Sequence, residues 1–360
     1  MAHSHTPGIF RQLILAGLAT IAGRGKRAAQ VDRTAVRRIL VVELWNIGDV
    51  VLLLPFLAQL RSIFPAASIS LLARPHTREI LEGTGLVDEY LDDTAPSDNW
   101  LSLNPLLGGW RDLWKLRTDL RSREFDLAFQ CRLHVREHVI LAMSGAGRRV
   151  GYAFGEGDTM LTDAIAVDDF HRHKVEDWMG LLGPFGGPVA VGNPELHVPA
   201  TEAASAREFL DANSITVDST VIGVHPGASV AEKRWPIERF AEVAQNMAAR
   251  AGTRVIAFVD PAGYGEALGE VPGVVIARPS LKRLVSLINE CDLLICNDSG
   301  PMHIAGGLGV PVVAVFSSGV ARWFAPLGEG HKLVSTETGG VDAVPVEDVE
   351  AAAGELLDPR

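Results

Sequence analysis

The sequence predicts an α/β fold made of two doubly wound domains that face each other across a cleft. From residue 38 onward, short apolar runs alternate with amphipathic segments, as expected for parallel strands joined by crossover helices. A Gly/Pro-rich segment, GPFGGP at 183–188, divides this alternation into two halves. In the second half, two strands run into small-residue loops followed by a proline, which is typical of a ligand crevice at the carboxyl edge of a sheet.

The individual elements follow from the period of the apolar residues and from helix-start and helix-stop signals. In the first half we predict strands at 39–44, 69–72, 126–129, 148–152 and 165–167, and helices at 50–64, 77–83, 110–123, 135–144 and 175–182. In the second half we predict strands at 221–225, 255–259, 274–276, 293–297 and 312–316, and helices at 203–212, 236–251, 281–290, 302–308 and 346–357.

These elements define the expected domains. An N-terminal domain is predicted at 38–183 and a C-terminal domain at 184–345. Before them lies an extension, 1–37, which is basic and partly apolar, and after them a C-terminal helix, 346–360, that can pack back on the N-terminal domain. The apolar run at 13–22 is shorter than the ~20 residues that span a bilayer, so the extension fits either peripheral contact with a membrane surface or a docked or frayed segment.

Composition and charge indicate a globular protein whose main partner is not a nucleic acid. The formal net charge of -11 argues against nucleic acid as the main partner. With 47% hydrophobic and 21% charged residues, the chain is expected to fold into a well-packed globule. Its three cysteines, Cys131, Cys291 and Cys296, lack metal-ligand spacing and predict buried thiols in a reducing cytoplasm.

The most informative stretch is LLICNDSGPMHIA at 293–305. It is an apolar strand, a tight polar turn and a helix that begins with a proline. Gly300 permits close approach to the backbone, and Pro301 suits the first helical turn, where N–H groups have no partner in the helix. Such a turn is a ready anion site, which predicts a phosphate-bearing ligand.

A second stretch, VIGVHPGASVAEKRWP at 221–236, makes the same prediction. The loop residues Gly227, Ala228 and Ser229 offer backbone N–H groups and a hydroxyl, and Lys233 adds a positive charge that a diphosphate can meet. Because the carboxyl ends of parallel strands converge, both loops are expected to hold one ligand.

Other candidate residues lie in the first half. Asp49 follows Gly48 at the mouth of the first strand, where it can cap a helix or act as a catalytic acid or base. Arg132 and Arg136 follow a strand and are expected on the acceptor side. The Trp- and Arg-rich helix at 110–123 either covers its sheet or meets an anionic surface, and the pair in HRH at 171–173 lacks a third metal ligand.

Together these motifs resemble the ADP-heptose:lipopolysaccharide heptosyltransferase family of glycosyltransferases. The resemblance rests on Gly48-Asp49, KRWP at 233–236 and NDSGPMH at 297–303, supported by FPAASI at 64–69 and GVPVVAVF at 309–316. It extends from about residue 38 to about residue 334 in the same order and with similar spacing.

The resemblance implies a GT-B fold: two Rossmann-like domains, with the donor nucleotide on the C-terminal one and the acceptor on the N-terminal one. It implies transfer of heptose or a related sugar, with inversion and without a metal or other cofactor, from a nucleotide-diphosphate donor such as ADP-heptose. The acceptor is expected to be the lipopolysaccharide core or another glycan, and the enzyme is expected in the cytoplasm or peripherally on the inner membrane. No aspartates here have the Asp-x-Asp spacing.

Residue roles carry over position by position. The resemblance implies that Asp49 is the general base and that Lys233 neutralises the diphosphate. It places Asp298, Ser299, Gly300 and His303 in the donor-binding turn, although Asp298 also suits a helix cap and His303 a packed side chain.

The chain also departs from the family pattern at three places. The turn VDPAGYGE at 259–266 is altered, which leaves Asp260 or Glu266 to hold the ribose hydroxyls. Glu43 stands where a basic residue is usual, and the loop 227–229 lacks the paired threonines of some members, leaving Ser229 as the hydroxyl donor. These changes predict a divergent member of the family.

Two other functions remain open on the sequence. A nucleotide-sugar epimerase requires acid/base residues on both sides of the sugar, and only Asp49 stands out here. A non-catalytic nucleotide-sugar-binding scaffold would tolerate loss of Asp49 or Lys233, and both are present. A dehydrogenase is disfavoured because no Gly-x-Gly-x-x-Gly follows a first strand.

Overall fold

The structure, a computed structural model, describes residues 32–92, 109–155, 157–166, 172–186, 191–317 and 321–358. The predicted extension lies outside these ranges except for residues 32–37, as does His171.

The N-terminal domain is built on a six-stranded parallel sheet with the strand order β3-β2-β1-β4-β5-β6. Its elements are β1 (Arg38–Val42), α1 (Ile47–Leu52), α2 (Leu54–Ile63), β2 (Ser68–Ala73), α3 (Arg78–Leu81), β3 (Glu89–Asp92), α4 (Gly109–Ser122), β4 (Leu127–Gln130), α5 (Val135–Ser144), β5 (Arg148–Ala153), β6 (Asp163–Ala166) and α6 (Lys174–Gly180).

The C-terminal domain repeats this architecture with the strand order β12-β11-β10-β7-β8-β9. Its elements are α7 (Ala200–Ala212), β7 (Thr220–His225), α8 (Ile237–Ala248), β8 (Thr253–Phe258), β9 (Val274–Ala277), α9 (Leu281–Asn289), β10 (Leu293–Asn297), α10 (Gly300–Leu308), β11 (Val312–Val315), α11 (Ala321–Phe324), β12 (His331–Val334) and α12 (Val346–Leu357).

In each sheet, the order in which the chain adds strands reverses beside the first strand of the domain. This reversal lies between β1 and β4 in one domain and between β7 and β10 in the other. This is the strand order of a dinucleotide-binding α/β fold, and ligands bind such sheets at the carboxyl ends of the strands that flank the reversal. The predicted fold class, two Rossmann-like doubly wound domains, is confirmed.

Apolar strands covered on both faces hold each domain together. In the N-terminal domain, Ile39 of β1 pairs with Ile69 and Leu127 of the neighbouring strands, and the buried rings of Phe56 and Phe129 meet edge to face at 5.6 Å. Burial of one such side chain stabilises the fold by about 1.5–3 kcal/mol. The sheet is therefore a rigid platform for the loops at its carboxyl edge.

The C-terminal helix corrects one prediction. Instead of packing back on the N-terminal domain, α12 packs against α8 and against β10, β11 and β12 of its own domain. Its buried face, formed by Val346, Val349, Ala352 and Ala353, belongs to a hydrophobic cluster contributed by the C-terminal domain alone. An apolar helix face packs on the nearest uncovered sheet, and here that sheet is its own domain's.

Two edge strands and one helix break were missed. β3 and β12 have the sequences EYLD and HKLV, whose polar residues hide the apolar pattern of an edge strand. The predicted helix at 50–64 is two helices that meet at Leu53, with Pro55 in the first turn of α2. Among the described residues, no helix combines the length and apolarity needed to cross a bilayer.

Candidate active site

The two domains touch where α1 meets α10. A Cβ atom on Gly48 would lie 2.5 Å from Cδ2 of His303, and a Cβ atom on Gly300 would lie 3.3 Å from Cβ of Ile47. Glycine at both positions therefore lets the two helix starts approach closely. The contact brings the Gly48-Asp49 turn of one sheet against the donor turn predicted on the other.

A cavity of about 360 Å³ lies beside this contact and receives side chains from both domains. The N-terminal domain contributes Trp45, Asn46, Gly48, Asp49, Arg74 and Arg132, and the C-terminal domain contributes Ser229, Lys233, Asp298, Ser299, Gly300, His303 and Phe324. Residues predicted from opposite halves of the chain thus share one cavity.

Asp49 lies in the first turn of α1 and faces this cavity. Its carboxylate accepts a hydrogen bond of 3.2 Å from the backbone N–H of Asn46, so the N-cap of α1 is Asn46 and Asp49 completes its capping box from the third helical position. Burial raises the pKa of Asp49 to about 6, against the opposing effect of this hydrogen bond. A carboxylate with such a pKa is ionised at neutral pH and is still basic enough to accept a proton.

The C-terminal side of the cavity carries the groups expected to meet a diphosphate. Lys233 Nζ lies 2.6 Å from the carboxylate of Asp298, and the Asp298 side chain is only 7% exposed whereas that of Lys233 is 36% exposed. Two serines line the same side: Ser229 in the loop after β7, and Ser299 at the start of the nine-residue helix α10. The first N–H groups of that helix provide a partial positive charge next to the lysine.

Asn297 joins the two predicted phosphate loops. This fully buried side chain accepts a hydrogen bond of 3.0 Å from Trp235 N–H and donates one of 2.7 Å to the carbonyl of Pro226. Trp235 is itself buried, and its indole N–H donates to the carbonyl of Val344 at 3.0 Å. The tryptophan of the KRWP motif therefore anchors the segment that carries Lys233.

A second cavity of about 460 Å³ adjoins the first and shares Asn46, Ser229, Ser299 and Gly300 with it. Its remaining lining is mostly apolar and includes Phe258, Val259, Pro279, Leu281, Leu284 and Ile304, together with Gly227, Ala228, His225 and Asp260. Size, apolar walls and a few polar groups are typical of a pocket for a small organic group.

Asp260 lies in this second cavity, in the altered turn. Its Oδ1 atom accepts hydrogen bonds of 2.9 Å from the backbone N–H groups of Ala262 and Tyr264. Its Oδ2 atom lies beside Gly227, where a Cβ atom would be 2.9 Å away. One carboxylate oxygen thus shapes the turn, and the other lies at the cavity wall.

Two predicted site residues are not brought to either cavity. Glu266 is exposed and forms an ion pair with Arg278, because the altered turn carries it to the surface. Arg136 is buried within α5, one turn after Arg132, and only Arg132 lines a cavity. His303 does line the cavity, and burial lowers its pKa to about 3, so it is neutral there.

His173 has a structural role in the described part of the chain. Its Nδ1 atom accepts a hydrogen bond of 3.3 Å from Val175 N–H, and its Nε2 atom lies 2.9 Å from the carbonyl of Ala325 in the other domain. Across the described residues, no group of three or more His, Cys, Asp or Glu side chains has the geometry of a metal site.

Four residues that line the first cavity were not predicted from the sequence: Trp45, Asn46, Arg74 and Phe324. The Trp45 ring lies 4.9 Å from the Arg132 guanidinium carbon and 6.4 Å from the ring of Phe324. Arg74 directly follows β2 and donates a hydrogen bond of 2.9 Å to the carbonyl of Leu44. Arg74 could have been predicted, because ligands bind such sheets at the carboxyl ends of the strands and Arg74 follows β2. Phe324 reaches the cavity only through the packing of the two domains.

Two Rossmann-like domains that face a shared cavity have the GT-B architecture of glycosyltransferases. A family model described as glycosyltransferase family 9 (heptosyltransferase) matches residues 113–349. The chain therefore belongs to glycosyltransferase family 9 and is a heptosyltransferase-like glycosyltransferase.

Individual relatives agree with this assignment. The lipopolysaccharide core heptosyltransferase OpsX of Haemophilus influenzae is 27% identical over 220 residues, which is 58% of this chain and 62% of OpsX, so less than two thirds of OpsX is matched. The crystal structure of a family 9 glycosyl transferase from Veillonella parvula is 25% identical and superposes with a TM-score of 0.78 over 92% of this chain and 99% of that one. E. coli heptosyltransferase WaaC with ADP-2-deoxy-2-fluoro heptose has the same fold, with 16% identity, a TM-score of 0.70, and coverage of 88% of this chain and 99% of that one.

Proposed function

We propose that the protein is an inverting glycosyltransferase that transfers heptose or a related sugar from a nucleotide-diphosphate donor to a lipopolysaccharide-core or other glycan acceptor, without a metal ion. The main support for the proposal is that Asp49 of one domain and Lys233 of the other line one cavity, together with Ser299 and Gly300 at the start of α10. This arrangement can hold a leaving diphosphate and an acceptor hydroxyl on opposite sides of a sugar.

The C-terminal side of the cavity receives the diphosphate. Ser229, Ser299 and the first N–H groups of α10 donate hydrogen bonds to it, and Lys233 supplies a full positive charge. Negative charge grows on the diphosphate as the bond to the sugar breaks. These fixed donors stabilise that charge, which is the role that a metal ion has in other transferases.

Asp49 acts on the acceptor side. As the acceptor hydroxyl attacks the anomeric carbon, it loses its proton to the Asp49 carboxylate and forms the new glycosidic bond. The diphosphate leaves from the opposite face, so the configuration at the anomeric carbon is inverted. Because burial raises the pKa of Asp49 to about 6, the base is ionised above that pH and protonated below it.

The second cavity is proposed to hold the nucleoside. Its apolar walls suit a base, and Asp260 Oδ2 is placed at the wall where ribose hydroxyls would lie. An ADP-heptose-like donor is supported by the ligand named for the WaaC structure, and a lipopolysaccharide-core acceptor by the name of OpsX. We further propose that the enzyme is cytoplasmic and meets its glycolipid acceptor peripherally at the inner membrane surface.

The test is release of ADP when the purified protein is incubated with ADP-heptose and heptose-deficient lipopolysaccharide core. Asp49→Asn is expected to lower turnover by ~100-fold or more while nearly preserving donor affinity, since only the general base is lost. In the unmodified protein, kcat/KM should fall as the pH is lowered through about 6, because Asp49 becomes protonated. EDTA is expected to leave the activity unchanged.

Asp342→Asn, at an exposed aspartate outside both cavities, is the matched control and should retain full activity. Turnover of Asp49→Asn within a few-fold of the unmodified protein would remove Asp49 from its proposed role. Conversion of the donor sugar without an acceptor would instead identify an epimerase, and donor binding with no chemistry would identify a scaffold.

A further inference from the structure

The second cavity receives side chains from both domains, although the family resemblance implies a donor nucleotide on the C-terminal domain. Three N-terminal residues line it: Asn46, Ile47 and His76. Asn46 and Ile47 lie at the start of α1, next to the contact with α10. His76 belongs to a separate segment, which follows β2. The N-terminal domain therefore completes the cavity proposed for the nucleoside, and an imidazole ring is among the groups that it supplies.

A tight turn fixes the position of His76. The 3₁₀ turn Pro75–Thr77 directly follows Arg74, whose side chain donates a hydrogen bond of 2.9 Å to the carbonyl of Leu44. The hydroxyl of the fully buried Thr77 donates a hydrogen bond of 2.7 Å to the carbonyl of Arg74. Because Arg74 lines the first cavity and His76 lines the second, this one turn spans both cavities.

The helix after the turn packs on the C-terminal domain beside the second cavity. This helix, α3, contacts α9, whose Leu281 and Leu284 line the cavity. Ile80 of α3 belongs to the hydrophobic cluster against which both leucines pack. Apolar packing between the domains therefore holds His76 at the second cavity.

The ring of His76 is available to a ligand. The residue is exposed, and among the described residues no hydrogen bond or ion pair involves its ring nitrogens. The rings of His173 and His331, in contrast, each lie within hydrogen-bond distance of a backbone carbonyl. Desolvation by its neighbours, and the charge of Arg74, lower the pKa of His76, which favours the neutral ring. A neutral, flat ring beside apolar walls suits stacking on another aromatic ring.

We propose that His76 is a specificity-determining residue for the sugar donor: from the N-terminal domain, its imidazole ring stacks on the nucleobase held in the second cavity. This inference rests on the proposed function, because it takes the second cavity as the nucleoside site. The walls that the C-terminal domain contributes, among them Phe258 and Leu284, are apolar and suit a flat base. Arg74, just before the same turn, lines the cavity proposed for the diphosphate. One turn of the N-terminal domain thus meets the donor at two points.

Calorimetry with ADP and with inorganic pyrophosphate tests this inference on the full-length protein. In His76→Ala, the affinity for ADP is expected to fall by about 10-fold, a typical loss when an aromatic ring stacked on a base is removed. Pyrophosphate has no base, so its affinity should be unchanged. His76→Phe keeps a flat ring and should retain most of the affinity for ADP. His197→Ala, at an exposed histidine outside both cavities, is the matched control.

A second measurement reads the contact directly. In protein labelled with ¹³C in its histidine rings, the His76 signals are identified by their absence in His76→Ala. Addition of ADP should shift these signals through the ring current of the base. Addition of pyrophosphate should shift them much less, because it brings no aromatic ring to the second cavity.

Unchanged ADP affinity in His76→Ala, equal losses in the Ala and Phe variants, or an equal loss of pyrophosphate affinity would each overturn the inference. Affinity for ADP that depends on His76, in a protein that transfers no sugar, would uphold the role of His76 and refute the proposed transferase reaction. Sugar transfer from ADP-heptose, with the affinity for ADP unchanged in His76→Ala, would do the reverse.

Discussion

Lys233 and Asp298 form an ion pair at the wall of the shared cavity. The ion pair of 2.6 Å neutralises a buried carboxylate with a lysine that is partly exposed to the cavity. In the proposed complex, the diphosphate carries more negative charge than Asp298, so Lys233 can form ion pairs with both groups. Without Lys233, the Asp298 carboxylate would be an unpaired buried charge directed at the ligand.

We therefore predict that Lys233→Ala weakens the binding of ADP by about 10- to 100-fold, since it removes a charge-assisted contact worth about 1.5–3 kcal/mol and leaves the carboxylate unpaired. Isothermal titration calorimetry with ADP measures the change. Adding Asp298→Asn to Lys233→Ala should recover part of the affinity, because the repulsive charge is gone. Lys332→Ala is the control, and ADP affinity that is unchanged in Lys233→Ala would contradict the proposed position of the diphosphate.

Site residues that follow directly from strand ends and helix starts were predictable. Asp49 and Gly300 lie in such positions, and both line the shared cavity. Phe324 carries no such signal, because only the packing of the two domains brings it to the cavity. The sequence left Asp260 or Glu266 to hold the ribose hydroxyls, and in the structure Glu266 pairs with Arg278 at the surface whereas Asp260 lines the second cavity.

At the scale of elements, the packed pair of helices α1 and α10 forms a contact between the two domains. Three glycines make the close approach possible: Gly48 faces His303, Gly300 faces Ile47, and a Cβ atom on Gly307 would lie 3.3 Å from Cγ1 of Val51. Leu196, in the segment before α7, donates its N–H to the carbonyl of Gly307 at 2.8 Å. The glycines at the contact between α1 and α10 thus set how closely the two helices approach, and with it the width of the adjoining cavity.

Gly48→Ala is expected to lower kcat/KM by ~10-fold or more without unfolding the protein, because displacement of a reacting group by about 1 Å is costly in rate. Its Cβ atom would lie 2.5 Å from Cδ2 of the buried His303, so one helix must move away from the other. Steady-state kinetics and thermal unfolding measure the two effects. Gly354→Ala is the control, since nothing lies within 4 Å of its new Cβ atom. Equal kinetics in the two variants would show that this contact does not set the site geometry.

The elements that the sequence predicts well are those with a buried apolar face. The central strands β1, β4, β7 and β10 are continuous apolar runs in which nearly every residue is buried, so their pattern is unambiguous. β3 and β12 lie at the edges of the sheets, where half-exposed polar residues remove the signal. The packing partner of α12 was not predictable, because an amphipathic pattern gives the buried face of a helix but not the surface that covers it.

At the scale of the whole molecule, the two sheets share one topology and are joined by a continuous core. The hydrophobic cluster that contains Val51 of α1 also contains Met302 and Ile304 of α10, so the domains are packed together and not merely linked. On a second face, Lys282 of α9 and Glu82 after α3 form an ion pair of 2.6 Å between the domains. Because both side chains are about 40% exposed, this ion pair contributes little stability. The association of the two domains is therefore stabilised mainly by the shared hydrophobic cluster.

The fully buried Glu43, next to the end of β1, makes the stability of the whole molecule depend on pH. Burial raises the pKa of Glu43 from its ordinary 4.5 to about 8, so between these values the folded protein keeps a proton that the unfolded chain has lost. The contribution of Glu43 is therefore fully present below pH 4.5 and is lost as the pH rises toward 8. Glu43→Gln cannot ionise, so its free energy of unfolding relative to the unmodified protein should increase from about pH 5 to about pH 8, by on the order of 2–4 kcal/mol. Urea denaturation of both proteins across this range measures the difference, and Glu355→Gln, at an exposed residue, serves as the control. A difference between Glu43→Gln and the unmodified protein that stays constant with pH would show that Glu43 is already ionised in the folded state.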